Sequence, residues 1–385
     1  MKLLHISDLH LGRSLRDFDL IDDQKYILDQ IIGICEKEGI KAILIAGDIY
    51  DKKIPNESAV ALLNDFLKRL SSKGIKVFMI SGNHDSDERL NFGSWGFEKE
   101  GIYISAGYKG YLEHQTVRDG GDEAEIYLMP FLKSAFVKAK HPEADIKTYE
   151  EAAQYVIDNA GIDESKCNIL IAHQFVCGKD SGPKLGGSES TQTKYVGDVE
   201  KIRSSCFDKF DYVALGHIHS GQDVAENVRY CGTPLKYSLD EIDHKKTVTV
   251  ITVETGRKVS YYEIPLVPMR DLRQINGTLK ELMKDENVKN PQDFVDVLLT
   301  DEEEIMDAMT IIRQVYPNAV HLDYEFRQNR APGSGNIDVS QIVNGKKFEV
   351  WIKEFYESQY KREINPEELE LLKKIAKEVG IDEAD

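Results

Sequence analysis

Short, mainly apolar runs separated by longer stretches of helical periodicity dominate the first 265 positions. The runs are Lys2–Ile6, Ala42–Ile45, Val77–Ile80, Ile126–Met129, Ile169–Ala172 and Tyr212–Leu215. They are too short for buried helices and rich in Ile, Val and Leu, as expected of strands covered on both faces. Between them, Gln24–Glu38 and Glu57–Leu70 repeat apolar residues at helical spacing. Strand followed by helix, repeated, predicts an α/β layered domain. After His219 the pattern turns strand-rich, with Arg229–Cys231, Thr247–Val253 and Val259–Ile264, the last two joined by a turn at Gly256.

A boundary is expected at 266–270, Leu-Val-Pro-Met-Arg. Beyond it, 266–326 reads as a small α/β domain with helices at Leu279–Met283 and Glu303–Val315 and strands at Phe294–Leu299 and Ala319–Tyr324. The acidic run Asp301–Glu304 reads as a solvated helix start. Residues 327–340 have linker composition, and 341–385 hold two amphipathic helices split at Asn365-Pro366, a good N-cap followed by a residue suited to the first helical turn. Their apolar positions, Phe348, Trp351, Ile352, Phe355 and Tyr356, then Leu369, Leu372, Ile375, Ala376 and Val379, suit a partner groove or coiled coil. The stripe Leu62, Leu63, Phe66, Leu67 and Leu70 fits either core or, with Leu90, Phe92 and Trp95, a dimer interface. Gly178–Thr193 reads as a loop beside the site.

Five of the apolar runs end in metal-ligand residue types: Asp8 and His10; Asp48; Asn83, His84 and Asp85; His173; His217 and His219. Ligands bind beyond the carboxyl ends of strands in open α/β sheets, so five distant segments are expected to meet in one crevice. Singly, each is weak, because a lone Asp-x-His or strand-end histidine is more often solvated or packed. The ordered set is specific. Carboxylates, imidazoles and an amide oxygen without thiolate suit Mn²⁺, Fe²⁺ or Zn²⁺ at a catalytic centre.

Seven donors suit two ions: Asp8, His10 and His219 on one, Asn83, His173 and His217 on the other, with Asp48 shared. Such a pair activates water and clamps a phosphate. His84 is left to stabilise the transition state or protonate the leaving oxygen, with Asp85 holding its ring. Gly47, Gly82 and Gly216 are expected to let the chain turn beside the ions. His5, His114, His141, His244 and His321 fall outside the set and read as solvated or locally hydrogen-bonded.

Composition refines this. A net charge of −18 argues against DNA binding by this chain alone and leaves a phosphate-binding role to bound cations and a partner. Five scattered cysteines predict reduced thiols. The amino-terminal stretch lacks a signal-peptide core and no run reaches membrane-spanning length, which points to a cytoplasmic protein with no membrane contact.

The motifs DxH, GDxxD, GNHD, a lone strand-end His and GHxH, in that order over residues 1–265, resemble the calcineurin-like metallophosphoesterase superfamily. Gly47-Asp48-Ile49-Tyr50-Asp51-Lys52-Lys53 lacks the Arg of the protein phosphatases. Together with FDYVALGHIHSGQ at 210–222 and RYCGTPLKYS at 229–238, it is similar to SbcD nucleases.

That resemblance implies a four-layer sandwich with a capping domain and a helical tail that docks on an SbcC-type coiled-coil ATPase. It also implies two Mn²⁺ ions, cleavage of DNA at double-strand ends and hairpins, and a homodimer. It carries over Asp8, His10, Asp48, Asn83, His173, His217 and His219 as ligands and His84 as acid or stabiliser. Asp51 stands where some relatives carry a functional His. Two other readings stay open: a phosphatase or cyclic-nucleotide phosphodiesterase on this scaffold, and a metal-free binding scaffold.

Overall fold

The computed structural model describes residues 1–179, 182–185, 201–255, 257–330, 352–353, 356 and 364–378. The expected turn at Gly256, the linker past Arg330, most of Gly178–Thr193, and Phe348, Trp351, Phe355 and Val379 of the tail lie outside the described residues.

Every expected strand of the first 265 residues is present, with ends shifted by a few residues at most. With three further strands that were not expected, Ile102–Ser105, Glu113–Asp119 and Gln222–Ala225, they form two six-stranded sheets. The first runs Lys258–Pro265, Thr247–Glu254, Lys2–Ile6, Ala42–Ala46, Lys76–Ile80, Ile102–Ser105. The second runs Gln222–Ala225, Val228–Tyr230, Tyr212–Gly216, Asn168–His173, Asp122–Met129, Glu113–Asp119. At the centre of each sheet the strands are parallel: Lys2–Ile6 with Ala42–Ala46 and Lys76–Ile80, and Tyr212–Gly216 with Asn168–His173 and Asp122–Met129.

The strands alternate, but both faces are apolar because both are covered. Leu3, Ala42, Leu44, Phe78 and Ile80 pack against Ile126, Leu128, Ile169, Ile171 and Ala214 of the opposite sheet. Helix Ile21–Glu38 buries Ile27, Leu28, Ile31, Ile32 and Cys35, and packs beside helix Glu57–Ser72, which packs on strand Lys76–Ile80. The outer face of the second sheet, Tyr127, Met129, Leu170, Val213 and Leu215, packs with Val137 and with Ala152, Ala153, Val156 and Ile157 of helix Tyr149–Asp158. Helix, sheet, sheet, helix is the expected four-layer α/β arrangement.

Several expectations change. The stripe on Glu57–Ser72 is core: Phe66 and Leu70 are at most 1% exposed, and Leu62, Leu63 and Leu67 are buried too. Leu90 is buried as well, which leaves Phe92 and Trp95 exposed, at 84% and 79%. His5 is neither solvated nor locally bonded. It sits between the sheets with Nδ1 3.1 Å from Tyr212 Oη and Nε2 3.1 Å from Leu215 O, and burial pushes its pKa down to about 3. All five cysteines are free thiols. No helix among the described residues is long and apolar enough to cross a membrane.

The chain divides into two units, Met1–Arg273 with Gln292–Phe294, and Gln274–Pro291 with Val295–Asp385. In the second, strands Phe294–Leu299 and Ala319–Tyr324 pair in parallel around Val295, Val297, Leu299, Ile312 and Tyr316. The helix expected over 303–315 covers only Ala308–Ile312. Asp307 ahead of it is left-handed at φ 54°, and the Ile305 N–H donates to Tyr324 Oη at 2.8 Å instead of to a helical carbonyl. Asp301 starts no helix of its own; it accepts the Leu279 N–H at 2.8 Å, at the front of helix Leu279–Leu282. Helix Glu325–Arg330 occupies the start of the expected linker. The helix expected after Asn365 runs Pro366–Glu378, with Leu369 packed on Ile352 and Ile364.

Candidate metal centre

The site begins where the central strands stop pairing as strands. Past Ile6 and Ala46 the two loops stay side by side: Asp8 N–H donates to Gly47 O at 3.1 Å, His10 N–H to Asp48 O at 3.0 Å and Leu11 N–H to Ile49 O at 2.9 Å. Keeping those bonds while turning the side chains inward puts Asp8, His10 and Asp48 at φ of 51°, 43° and 48°, and His217 on the second sheet at 99°. Four of the eight non-glycine residues with positive φ among those described are thus expected ligands. Such conformations persist only where surrounding contacts enforce them, and they cluster at functional sites.

The enforcing contacts are present. Gln24 Nε2 donates to His10 O at 2.8 Å, Tyr237 Oη donates to Leu9 O at 2.6 Å, and His217 N–H donates to Asp8 Oδ1 at 3.0 Å.

The glycines serve a different need from the one expected. Only Gly47 has a positive φ, at 83°. A Cβ on Gly82 would lie 2.1 Å from Asp48 Oδ1, and one on Gly216 would lie 1.9 Å from Ala46 O and 2.8 Å from His173 Nδ1. Two of the three are therefore required by close approach between segments rather than by turning.

All seven expected donors meet. His10 Nε2 and His219 Nε2 are 3.1 Å apart, His173 Nε2 lies 3.4 Å from Asp48 Oδ2 and 3.1 Å from Asn83 Oδ1, and His217 Nδ1 lies 2.9 Å from Asn83 Oδ1. Three overlapping groups, Asp8–His10–His219, His10–Asp48–His84 and Asp8–Asp48–His173, each bring their ligand atoms within 4.8 Å of one another and can hold a metal ion. Shared members across groups are what a two-ion site requires.

The electrostatics differ from donor to donor. Burial keeps His10 well below its ordinary pKa, which favours the neutral ring, the form in which an imidazole can bind a cation. Its Nδ1 is buried with no hydrogen-bond partner, and its Nε2 faces His219 Nε2 at 3.1 Å and Asp48 Oδ2 at 3.7 Å. Burial opposes charge on both Asp48 and His173, yet their attraction wins, holding Asp48 well below the carboxylate range and raising His173 to about 9. The donors carry only oxygen and nitrogen, so the residues present fit hard or borderline divalent cations.

His84 lies on the open side, with 27% of its side chain exposed against 0% for His10 and His173 and 3% for Asp48. Its N–H donates to Asp48 Oδ1 at 2.9 Å, and its Nδ1 lies 3.0 Å from Asp51 O. Asp85 does not hold the His84 ring as expected. Its carboxylate accepts the N–H groups of Ile49 at 3.1 Å, Tyr50 at 3.0 Å and Gly82 at 2.9 Å. Those bonds tie two ligand loops together, which a side chain aimed at His84 could not do. Burial, then Asp48, pushes Asp85 up to about 6.

Sequence reasoning noted Asp51 only through the resemblance and missed Glu241 and Lys246. Asp51 supplies the carbonyl that holds His84, and its Oδ1 lies 3.4 Å from Arg13 Nη1 and 3.8 Å from His10 Nδ1. Glu241 and Lys246 lie against His219, and burial of Glu241 is outweighed by His219 and Lys246, which lower it to about 2. The segment 229–238, notable for its likeness to SbcD nucleases, was the available pointer: it carries Thr233 and Tyr237, which bond Glu241.

Comparison with known proteins agrees with this geometry. Residues 1–221 match the Calcineurin-like phosphoesterase family, and residues 268–360 match the Type 5 capsule protein repressor C-terminal domain family, named SbcD_C. The SbcD subunit of the SbcCD nuclease of Staphylococcus epidermidis is 34% identical over 327 residues, covering 84% of this chain and 85% of that protein. Its namesake from Staphylococcus saprophyticus is 33% identical over 364 residues, 93% of each chain. A solved dimetal phosphatase from Danio rerio covers 69% of this chain at 14% identity and a TM-score of 0.36, too loose a likeness to carry weight. The chain belongs to the calcineurin-like phosphoesterase family and, within it, to the SbcD nuclease subunits. It is an enzyme, a metallophosphoesterase whose His and Asp cluster can hold metal.

Proposed function

We propose that this chain is the DNA-cleaving component of an SbcCD-type complex, hydrolysing phosphodiesters at double-strand ends and hairpins with two Mn²⁺ ions. The observation that supports it most is the convergence of the donors with His84 on their open side. Asp8, His10 and His219 would hold one ion, Asn83, His173 and His217 the other, and Asp48 both. Divalent cations bound there supply Lewis acidity toward the phosphate and lower the pKa of a water.

The protein's own part is positioning and proton delivery. With its Nδ1–H given to the Asp51 carbonyl, His84 presents Nε2 to the phosphoryl or leaving oxygen, and in protonated form can donate there. Asp48 accepts the His84 N–H and so couples the acid's position to the shared ligand. Asp85 keeps the two loops in register from beneath. The choice of DNA rather than a monoester rests on similarity to two relatives named as nuclease subunits. Linear duplex DNA with Mn²⁺ is therefore expected to be degraded. Turnover of nucleotide monoesters without any attack on DNA would move the assignment to a phosphatase.

The same reading gives a division into a nuclease domain at 1–265, a cap at 266–326, a linker at 327–340 and a docking region at 341–385. It also gives a cytoplasmic location, an SbcC-type ATPase partner and a homodimer. The exposed Phe92 and Trp95 beside the GNHD loop favour the dimer, because two large aromatics in one short stretch suit a protein interface. One sedimentation series checks both contacts. The full chain should run as a dimer and co-sediment with a long coiled-coil ATPase. Deleting 341–385 should keep the dimer and lose the ATPase; retention of the complex would contradict the docking role.

A further inference from the structure

Between Gly232 and Thr247, outside every donor segment, one fully buried carboxylate faces the site. We infer that Glu241 is the positioning residue that fixes how His219 presents itself to the metal, and that Thr233 and Lys246 hold Glu241 in place. This rests on the two-ion reading above and deepens it.

The geometry runs in one line. His219 Nε2 points into the donor cluster, 3.1 Å from His10 Nε2, while its Nδ1 lies 3.9 Å from Glu241 Oε1. The imidazole thus stands between the cluster and the carboxylate. A carboxylate at the distal nitrogen draws the ring proton to Nδ1 and leaves the Nε2 lone pair for a cation, and it restrains rotation of the ring.

Glu241 is itself firmly held. Its Oε2 accepts from Thr233 Oγ1 at 3.1 Å and from the Lys246 ammonium, and its Oε1 accepts from Tyr237 N–H at 3.4 Å. The same ammonium donates to Thr233 Oγ1 at 2.6 Å and to the carbonyl oxygen of His219 at 3.1 Å. Lys246 therefore holds both the main chain of His219 and the carboxylate that faces its ring.

Packing alone gives no reason for this arrangement. The Glu241 side chain is 0% exposed and that of Lys246 8%, and a buried ion pair of this kind adds little net stability over apolar residues of the same volume. Support of a ligand histidine accounts for both charges, because partners of this sort change metal affinity by about 10–100-fold when removed.

The test is a Mn²⁺ titration of the full-length chain, with the free ion read by electron paramagnetic resonance. The parent should bind two ions. Glu241→Gln, close to isosteric and uncharged, should weaken one of the two sites by about 10–100-fold and leave the other unchanged. Both sites unchanged to within about twofold would overturn the inference while the two-ion reading survived, whereas a parent that binds no Mn²⁺ would overturn both.

Melting of the metal-free variants separates positioning from folding. A lower melting temperature with parental affinity in the folded fraction would reduce Glu241 to a structural residue and overturn the proposal. If Glu241→Gln does not fold, Thr233→Val removes one bond to the carboxylate and the one Thr233 accepts from Lys246, and should weaken the same site severalfold. Parental affinity in that variant would likewise count against the assignment.

Discussion

His84→Gln is expected to lower DNA cleavage by about 10²–10⁴-fold while Mn²⁺ uptake stays at the parental level. The expectation follows from where the ring sits. His10, His173 and His219 meet in the buried interior of the cluster, whereas His84 is partly exposed with its Nδ1 engaged by the Asp51 carbonyl. Glutamine keeps the main-chain N–H that donates to Asp48 Oδ1, so the shared ligand keeps that contact. What it removes is a nitrogen able to carry a proton to the leaving oxygen. Parallel measurement of single-turnover cleavage and metal stoichiometry separates the two effects. A loss of metal in step with activity would mean that His84 is a ligand, which reach alone permits because it groups with His10 and Asp48.

Gly216→Ala should have the second large effect, and a different one. The added methyl would sit 1.9 Å from Ala46 O, a main-chain atom of a central strand in the opposite sheet, and 2.8 Å from His173 Nδ1. Those two groups are bonded to each other at 2.8 Å, the contact that aims His173 Nε2 at Asp48. Neither can yield without the sheets moving apart, so stability should drop by about 1–3 kcal/mol or more, and metal binding should weaken with it. Gly33→Ala is the control. It lies in helix Ile21–Glu38 with nothing within 4 Å of the new methyl, and it should be neutral or stabilising by up to about 1 kcal/mol. Chemical denaturation of the three proteins reads this directly; equal stability of Gly216→Ala and parent would contradict the close approach.

Much of this was legible in the sequence alone, and the reason is local. A strand covered on both faces must be an unbroken apolar run, and the residue that ends the run is necessarily at the sheet's edge. Ile6-Ser7-Asp8, Ile45-Ala46-Gly47-Asp48 and Leu215-Gly216-His217 therefore announce both the fold and the site. The edge strand Glu113–Asp119 was not legible, since it is mostly polar and only Val117 is buried. The role of Asp85 was misread because adjacency to His84 says nothing about direction, and three amide hydrogens on its other side compete for the same carboxylate.

Glu241 could not be found from spacing. It approaches His219 from 22 positions downstream, through a turn whose course depends on Lys246 and Thr233 being buried together. The left-handed backbone at Asp8, His10, Asp48 and His217 was equally silent, because it is imposed by two loops running side by side and has no residue-type signature.

The −18 charge, which argued against DNA, takes a different meaning at the site. Asp8 and Asp48 are buried among imidazoles, so part of the acidity sits where cations can bind rather than being displayed to a polyanion.

Anomalous diffraction from crystals of the full chain soaked in manganese examines the central claim most directly. Two peaks are expected, both beside the Asp48 carboxylate, one also contacting Asp8, His10 and His219 and the other Asn83, His173 and His217. A single peak, or manganese found only elsewhere on the molecule, would contradict a two-ion hydrolase built from five strand ends.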